Sequence, residues 1–134
     1  IRKYTGEHIA DEKLQTILQA AEFVPRSRPE PSWKMIVVRQ KETLRKMAGC
    51  RIGTGKMLEN ADCAIVLLGD PAVSDVWIED TAIVISNMHL MASALGVGSC
   101  WIQGRLRRAE DGRTPEDFLR EILDFPEDYR LEAI

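Results

Sequence analysis

Few side chains in this sequence could do chemistry unaided, and none comes with the neighbours its chemistry would need. The thiols are Cys50, Cys63 and Cys100. They form no Cys-x-x-Cys pair and have no histidine at ligand spacing, so neither a disulfide framework nor a zinc site is indicated. Cys100 reads as a buried, inert thiol rather than a nucleophile. His89 lies inside an apolar run, where a hydrogen-bonded core or interface histidine is expected in place of a base or a ligand. Residues 51–56, Arg-Ile-Gly-Thr-Gly-Lys, carry glycines and a lysine but lack the GxxxxGK[ST] spacing of a phosphate loop, and they follow no buried strand. A surface loop is expected there. No catalytic acid–base pair is legible.

The elements that would position any site are clearer. Residues 80–95 are almost all apolar or small, interrupted only by Ser86, Asn87, His89 and Ser93. A helix apolar all round is a buried helix. It is short for a bilayer, which needs about 20 apolar residues, and Glu79 and Asp80 stand at its start. Gly96 and Gly98 stop it, and residues 99–102 read as a short buried strand ending at Gln103 and Gly104.

Around that centre the chain alternates. Residues 11–23 have helical spacing in Leu14, Ile17, Leu18 and Ala21, with Pro25 beyond. A loop with two prolines and two arginines leads to an apolar strand over residues 33–39. A short helix over 42–48 and a second buried strand over 64–68 follow. Thr114 and Pro115 announce a helix by its N-cap and its proline at N1. Residues 130–134 begin one more strand. The alternation alone suggests a parallel, doubly wound sheet.

Length and charge narrow the field. The 134 residues, 45% apolar and 29% charged, suit one ordinary globular domain. A net charge of −3 with no basic stripe gives no reason to expect nucleic acid. No membrane-spanning segment and no signal peptide are visible, and a reducing cytoplasm fits the cysteine usage.

Residues 94–104, ALGVGSCWIQG, resemble the nitroreductase-like flavoprotein family, whose core helix ends in a similar stretch beside the flavin. Further pieces fall in the family's order: IRKYTGE at the start, the loop at 25–33, AIVLLGD, WIED and the late FPEDYRLEAI. The resemblance covers nearly the whole chain. It implies an α+β, three-layer fold with a mixed, mostly antiparallel sheet flanked by helices, in an intertwined homodimer. Against the family pattern, residues 1–134 form a single domain incomplete at both ends.

The resemblance also implies FMN as cofactor and NAD(P)H as reductant, with hydride passing through flavin N5 to a nitroaromatic or quinone acceptor. That agrees with the lack of a catalytic pair, because the flavin carries the hard chemistry. The flavin-binding residues it implies are Arg2, Arg26, Ser27, Arg28, Gln103 and Gly104. Arg2 matches the basic position of the family's N-terminal phosphate motif, and arginine suits phosphate. The 25–33 loop aligns without gaps, yet Arg26, Pro29, Pro31 and Ser32 replace the family's Ser, Asn, Gln and Pro. Gln103 and Gly104 fall where family backbone meets N5, and glycine permits such an approach. A rival expectation is a flavin-binding or cofactor-free, inactive dimer that serves as a binding or structural module.

Overall fold

The computed structural model describes residues 1–134. Two apolar runs are its backbone. Trp33–Val38 (β1) and Ala64–Gly69 (β2) pair antiparallel, from Trp33 opposite Gly69 to Val38 opposite Ala64. Arg130–Ala133 (β3) pairs antiparallel with the other edge of β2, giving the order β1-β2-β3. Every strand pair is antiparallel, so the doubly wound expectation from simple alternation fails and the α+β expectation holds.

Helices cover both faces. Along β2, Val66 and Leu68 point into a core with Leu44 and Met47 of α2 (Lys41–Met47) and Leu119 of α4 (Pro115–Leu123). Leu67 points the other way, onto Ile17 of α1 (Asp11–Gln19) and Val84, Ile85 and Met88 of α3 (Trp77–Ala94). Antiparallel sheets often leave one face to water. Here the central strand β2 is covered on both, which is why it reads as an unbroken apolar run, whereas the edge strand β1 keeps Lys34 and Val37 exposed.

Local chemistry sets the boundaries. The first helix tightens into a 3-10 turn over Ala20–Phe23 before Pro25. Thr114 caps α4 as its sequence announces, its Oγ1 accepting the Asp117 N–H at 3.1 Å. Helix α3 begins one turn earlier than the apolar run suggests. Gly69 makes room for that turn, since a Cβ there would lie 2.1 Å from the Trp77 ring. At the other end Gly96 takes φ +72°, and Val97 N–H reaches back to Ala92 O at 2.8 Å, a Schellman-type stop.

Two expectations need correction. Helix α3 is not buried all round in the single chain: Ile83 is 40% and Leu90 67% exposed. Residues 99–102 do not form a full strand either. Ile102 and Ile134 exchange backbone bonds at 2.9 and 3.0 Å, and Gln103 bridges Ala133 as an isolated pair. No helix is long and apolar enough to cross a membrane.

Candidate functional site

The corner at Gln103 is built by an irregularity in β3. Leu67 pairs with Ala133 but Leu68 with Leu131, so Glu132 is an extra residue, a bulge. Bulges bend a strand and re-aim its groups, often beside active sites. The Glu132 side chain is buried, accepting from Gln103 Nε2 at 3.1 Å and from Arg105 Nε at 2.9 Å. Its carbonyl accepts the N–H groups of Gly104 and Arg105, both at 3.0 Å. Trp101 Nε1 donates to Gln103 Oε1 at 2.8 Å, so the Gln103 amide is fully used.

The backbone is a different matter. In its bridge to Ala133, Gln103 sits at the non-bonded position, and its own N–H has no backbone partner. That N–H points away from β3 along the open edge. Gly104 N–H, by contrast, is committed to Glu132. Gly104 is glycine for packing, since a Cβ would fall 2.5 Å from Leu131 Cδ2. Leu106 follows at φ +59° and 79% exposed, a conformation a leucine adopts only at some cost.

The 25–33 loop is tied to the start of α3. Asp80, 5% exposed, accepts Ser27 Oγ and Ser32 Oγ, each at 2.7 Å, and Ser27 N–H at 3.3 Å. Burial alone would raise the Asp80 pKa, but these donors outweigh it and hold the carboxyl below its ordinary value. The Ser27 hydroxyl is thus turned onto Asp80, although the residue itself is exposed. Arg26 and Arg28 face solvent, Arg28 loosely paired with Asp75 at 3.6 Å and Arg26 with no carboxylate at all.

Arg2 stands elsewhere. It is exposed, donates to Ile1 O at 3.0 Å and Cys100 Sγ at 2.9 Å, and meets no carboxylate. Cys100 is therefore half-buried and in contact with a guanidinium, not sealed in the core as its setting suggests. His89 is likewise exposed, sharing a 2.6 Å hydrogen bond with Ser99 Oγ. From Arg2 the N-terminal segment crosses a cavity of about 520 Å³ and is fastened again at Ile9. There Asp62 accepts Ile9 N–H at 3.0 Å and Arg39 Nη2 at 2.9 Å, while the same nitrogen of Arg39 donates to Ile9 O at 2.9 Å.

The six residues named from sequence thus fall in three places. Arg26, Ser27 and Arg28 cluster at the start of α3, and Gln103 and Gly104 share one corner. Arg2 lies by Cys100, whose neighbour Ser99 bonds His89 in the second half of α3, nine residues or about 14 Å along the helix from Asp80 at 1.5 Å each. From the β1 side of the sheet to Gln103 is three strand steps, about 14 Å at 4.8 Å per step. Sequence reasoning missed Asp80, Glu132, and the Arg39–Asp62 pair. Only Asp80 left a signal, as an acid in the first turn of an otherwise apolar helix.

Comparison with known proteins bears on the whole chain. A model described as "Nitroreductase family" matches residues 1–54 and 50–134. A protein of Archaeoglobus fulgidus named "Putative NADH dehydrogenase/NAD(P)H nitroreductase" is 40% identical over 131 residues, covering 95% of this chain and 72% of its own length. A protein of the same name in Methanothermobacter thermautotrophicus is 34% identical over 104 residues, with 75% of this chain and 54% of that protein covered. Among solved structures, an FMN-dependent nitroreductase from Clostridium difficile R20291 superposes with a TM-score of 0.94 at 43% identity. The match covers 99% of this chain and 78% of that one.

Proposed function

The chain belongs to the nitroreductase family, and from that premise we infer that it is an NAD(P)H-dependent FMN oxidoreductase. Bound FMN would accept hydride at N5 from a reduced nicotinamide and return electrons to a second substrate. The acceptors we propose are nitroaromatic and quinone-type molecules.

The residues present fit the cofactor. A flavin needs a donor at N5, and the observation that carries this reading is the unpaired Gln103 N–H, held at the sheet edge by the Glu132 bulge. The phosphate needs cations without internal partners, and Arg2 and Arg26 have no carboxylate within salt-bridge distance. Arg28, only loosely held, is a third, and Ser27 shapes the loop that carries both arginines. Gly104 keeps the corner tight by letting Leu131 pack beneath it.

Their placement favours a site shared between two copies. Arg2 stands by the second half of α3 and Arg26 and Arg28 by its first turn, and a second copy offers a way to gather such groups around one flavin. The face of α3 that is left open offers a way to join copies. Ile83 and Leu90 lie there beside Phe23, which is 83% exposed, around a shallow groove lined also by Val24 and Pro25. Exposed apolar groups gathered in this way mark interaction surfaces. A homodimer seated on this face would bring the loop of one copy toward the Gln103 corner or the Arg2 end of the other.

A second reading has one observation in its favour. Ser27 is consumed by Asp80, and Pro29 and Pro31 leave no side-chain amide in the loop, so the same dimer could bind a ligand without turning it over. Anaerobic reduction separates the two. The oxidoreductase predicts that FMN-loaded protein loses its visible absorbance on adding NADH or NADPH and regains it on adding a quinone. Absorbance indifferent to both nucleotides would leave only the binding module.

A further inference from the structure

A carboxylate taken out of water ordinarily needs a cation, because desolvation of a charge is expensive. Asp80 is 5% exposed and has none: no lysine, arginine or histidine pairs with it. Its charge is met by the Ser27 and Ser32 hydroxyls and the Ser27 N–H, with the Ser74 hydroxyl beside them, aided by its place in the first turn of α3, where the helix dipole favours an anion. The hydroxyls are not neighbours in sequence. Ser27 stands near one end of the 25–33 loop and Ser32 near the other, so one side chain pinches both.

The remaining freedom of the loop is small. Ser32 O accepts Asp70 N–H at 2.7 Å, and Ser27 Oγ also meets Ser74 Oγ at 2.8 Å. Pro29 and Pro31 fix two backbone angles between the anchors. What is left pointing outward is Arg26 and Arg28. We propose that Asp80 is the positioning residue of this loop: by holding Ser27 and Ser32 it presents Arg26 and Arg28 to the flavin. The proposal rests on the flavin reading above for the ligand, though not for the hold on the loop.

Asp80→Asn tests it, because the amide keeps the shape and can leave its oxygen on both hydroxyls, which share one Asp80 oxygen, but its NH2 then meets the Ser27 N–H, donor against donor. Hydrogen bonds to charged groups are the costly ones to lose. In Asp80→Asn the amides of Ser27, which bonds Asp80, and of Asp70, which bonds Ser32 O, exchange at least about tenfold faster, while those inside β1 and β2 keep their protection. FMN binds about tenfold more weakly. Replacing Arg26 and Arg28 by alanine weakens FMN binding in the native chain and adds under about twofold in the Asp80→Asn background, since the loop is already released.

Unchanged exchange in the loop, or FMN affinity within about twofold of native, overturns the proposal. So does a uniform rise in exchange across the sheet. Should Asp80→Asn fail to fold, Ser27→Ala and Ser32→Ala each remove one anchor, and loosening confined to the loop is again the expected result. If the native chain takes up no FMN, the flavin reading fails separately, and the exchange pattern alone decides whether Asp80 holds the loop.

Discussion

Three buried or half-buried acids each solve a local problem here. Glu132 fixes the Gln103 corner, Asp80 fixes the loop, and Asp62 fastens the N-terminal segment. Burial would raise the Asp62 pKa, yet the Ile9 N–H, Arg39 and His8 together hold it below its ordinary value. A depressed carboxylate stabilises the fold above the unfolded-state pKa of about 3.9, and that stability drains away as pH falls through the lower folded value. Asp62→Asn should therefore lower the melting temperature at neutral pH and make the acid limb shallower below about pH 4. Asp80 is depressed too, so the limb should not become flat. Thermal melts across acid pH check this. Equal slopes for both proteins would show that Asp62 gains nothing from its partners. The thiols follow from the same physics in the other direction, since burial pushes Cys50 up to about 12 and Cys63 up to about 11. Neither suits a nucleophile.

At the scale of elements, what sequence could reveal depended on periodicity. The runs of β1 and β2, the Thr114–Pro115 start of α4 and the glycine stop after α3 were legible because each is a local pattern. The Asp80 contacts span 48 and 53 residues and the Arg39–Asp62 pair spans 23, and such polar pairings leave no local trace. The Glu132 bulge is hidden inside residues 130–134, which read as plain strand. Helix α3 shows a related limit: an all-round apolar helix says that every face is covered, not by what. Its open stripe leads to a prediction. Leu90→Asp should convert a dimer to a monomer in light scattering and leave the far-ultraviolet circular dichroism unchanged. A variant that remains as large as the native protein would place the interface on another face.

For the whole molecule, the three-layer architecture explains why the candidate site is dispersed. The sheet and α3 form a rigid block, and the cationic loop, the Gln103 corner and Arg2 are mounted at separate margins of it. None encloses a ligand alone. On the proposed reading, a second copy laid against α3 would supply the missing wall, and flavin uptake and dimerisation would then rise and fall together. The decisive measurement is the flavin content of protein loaded with FMN and passed through gel filtration. A yellow dimer that carries close to one FMN per chain is the predicted result. A colourless protein that retains no FMN in any oligomeric state would contradict the assignment of this chain as a flavin oxidoreductase.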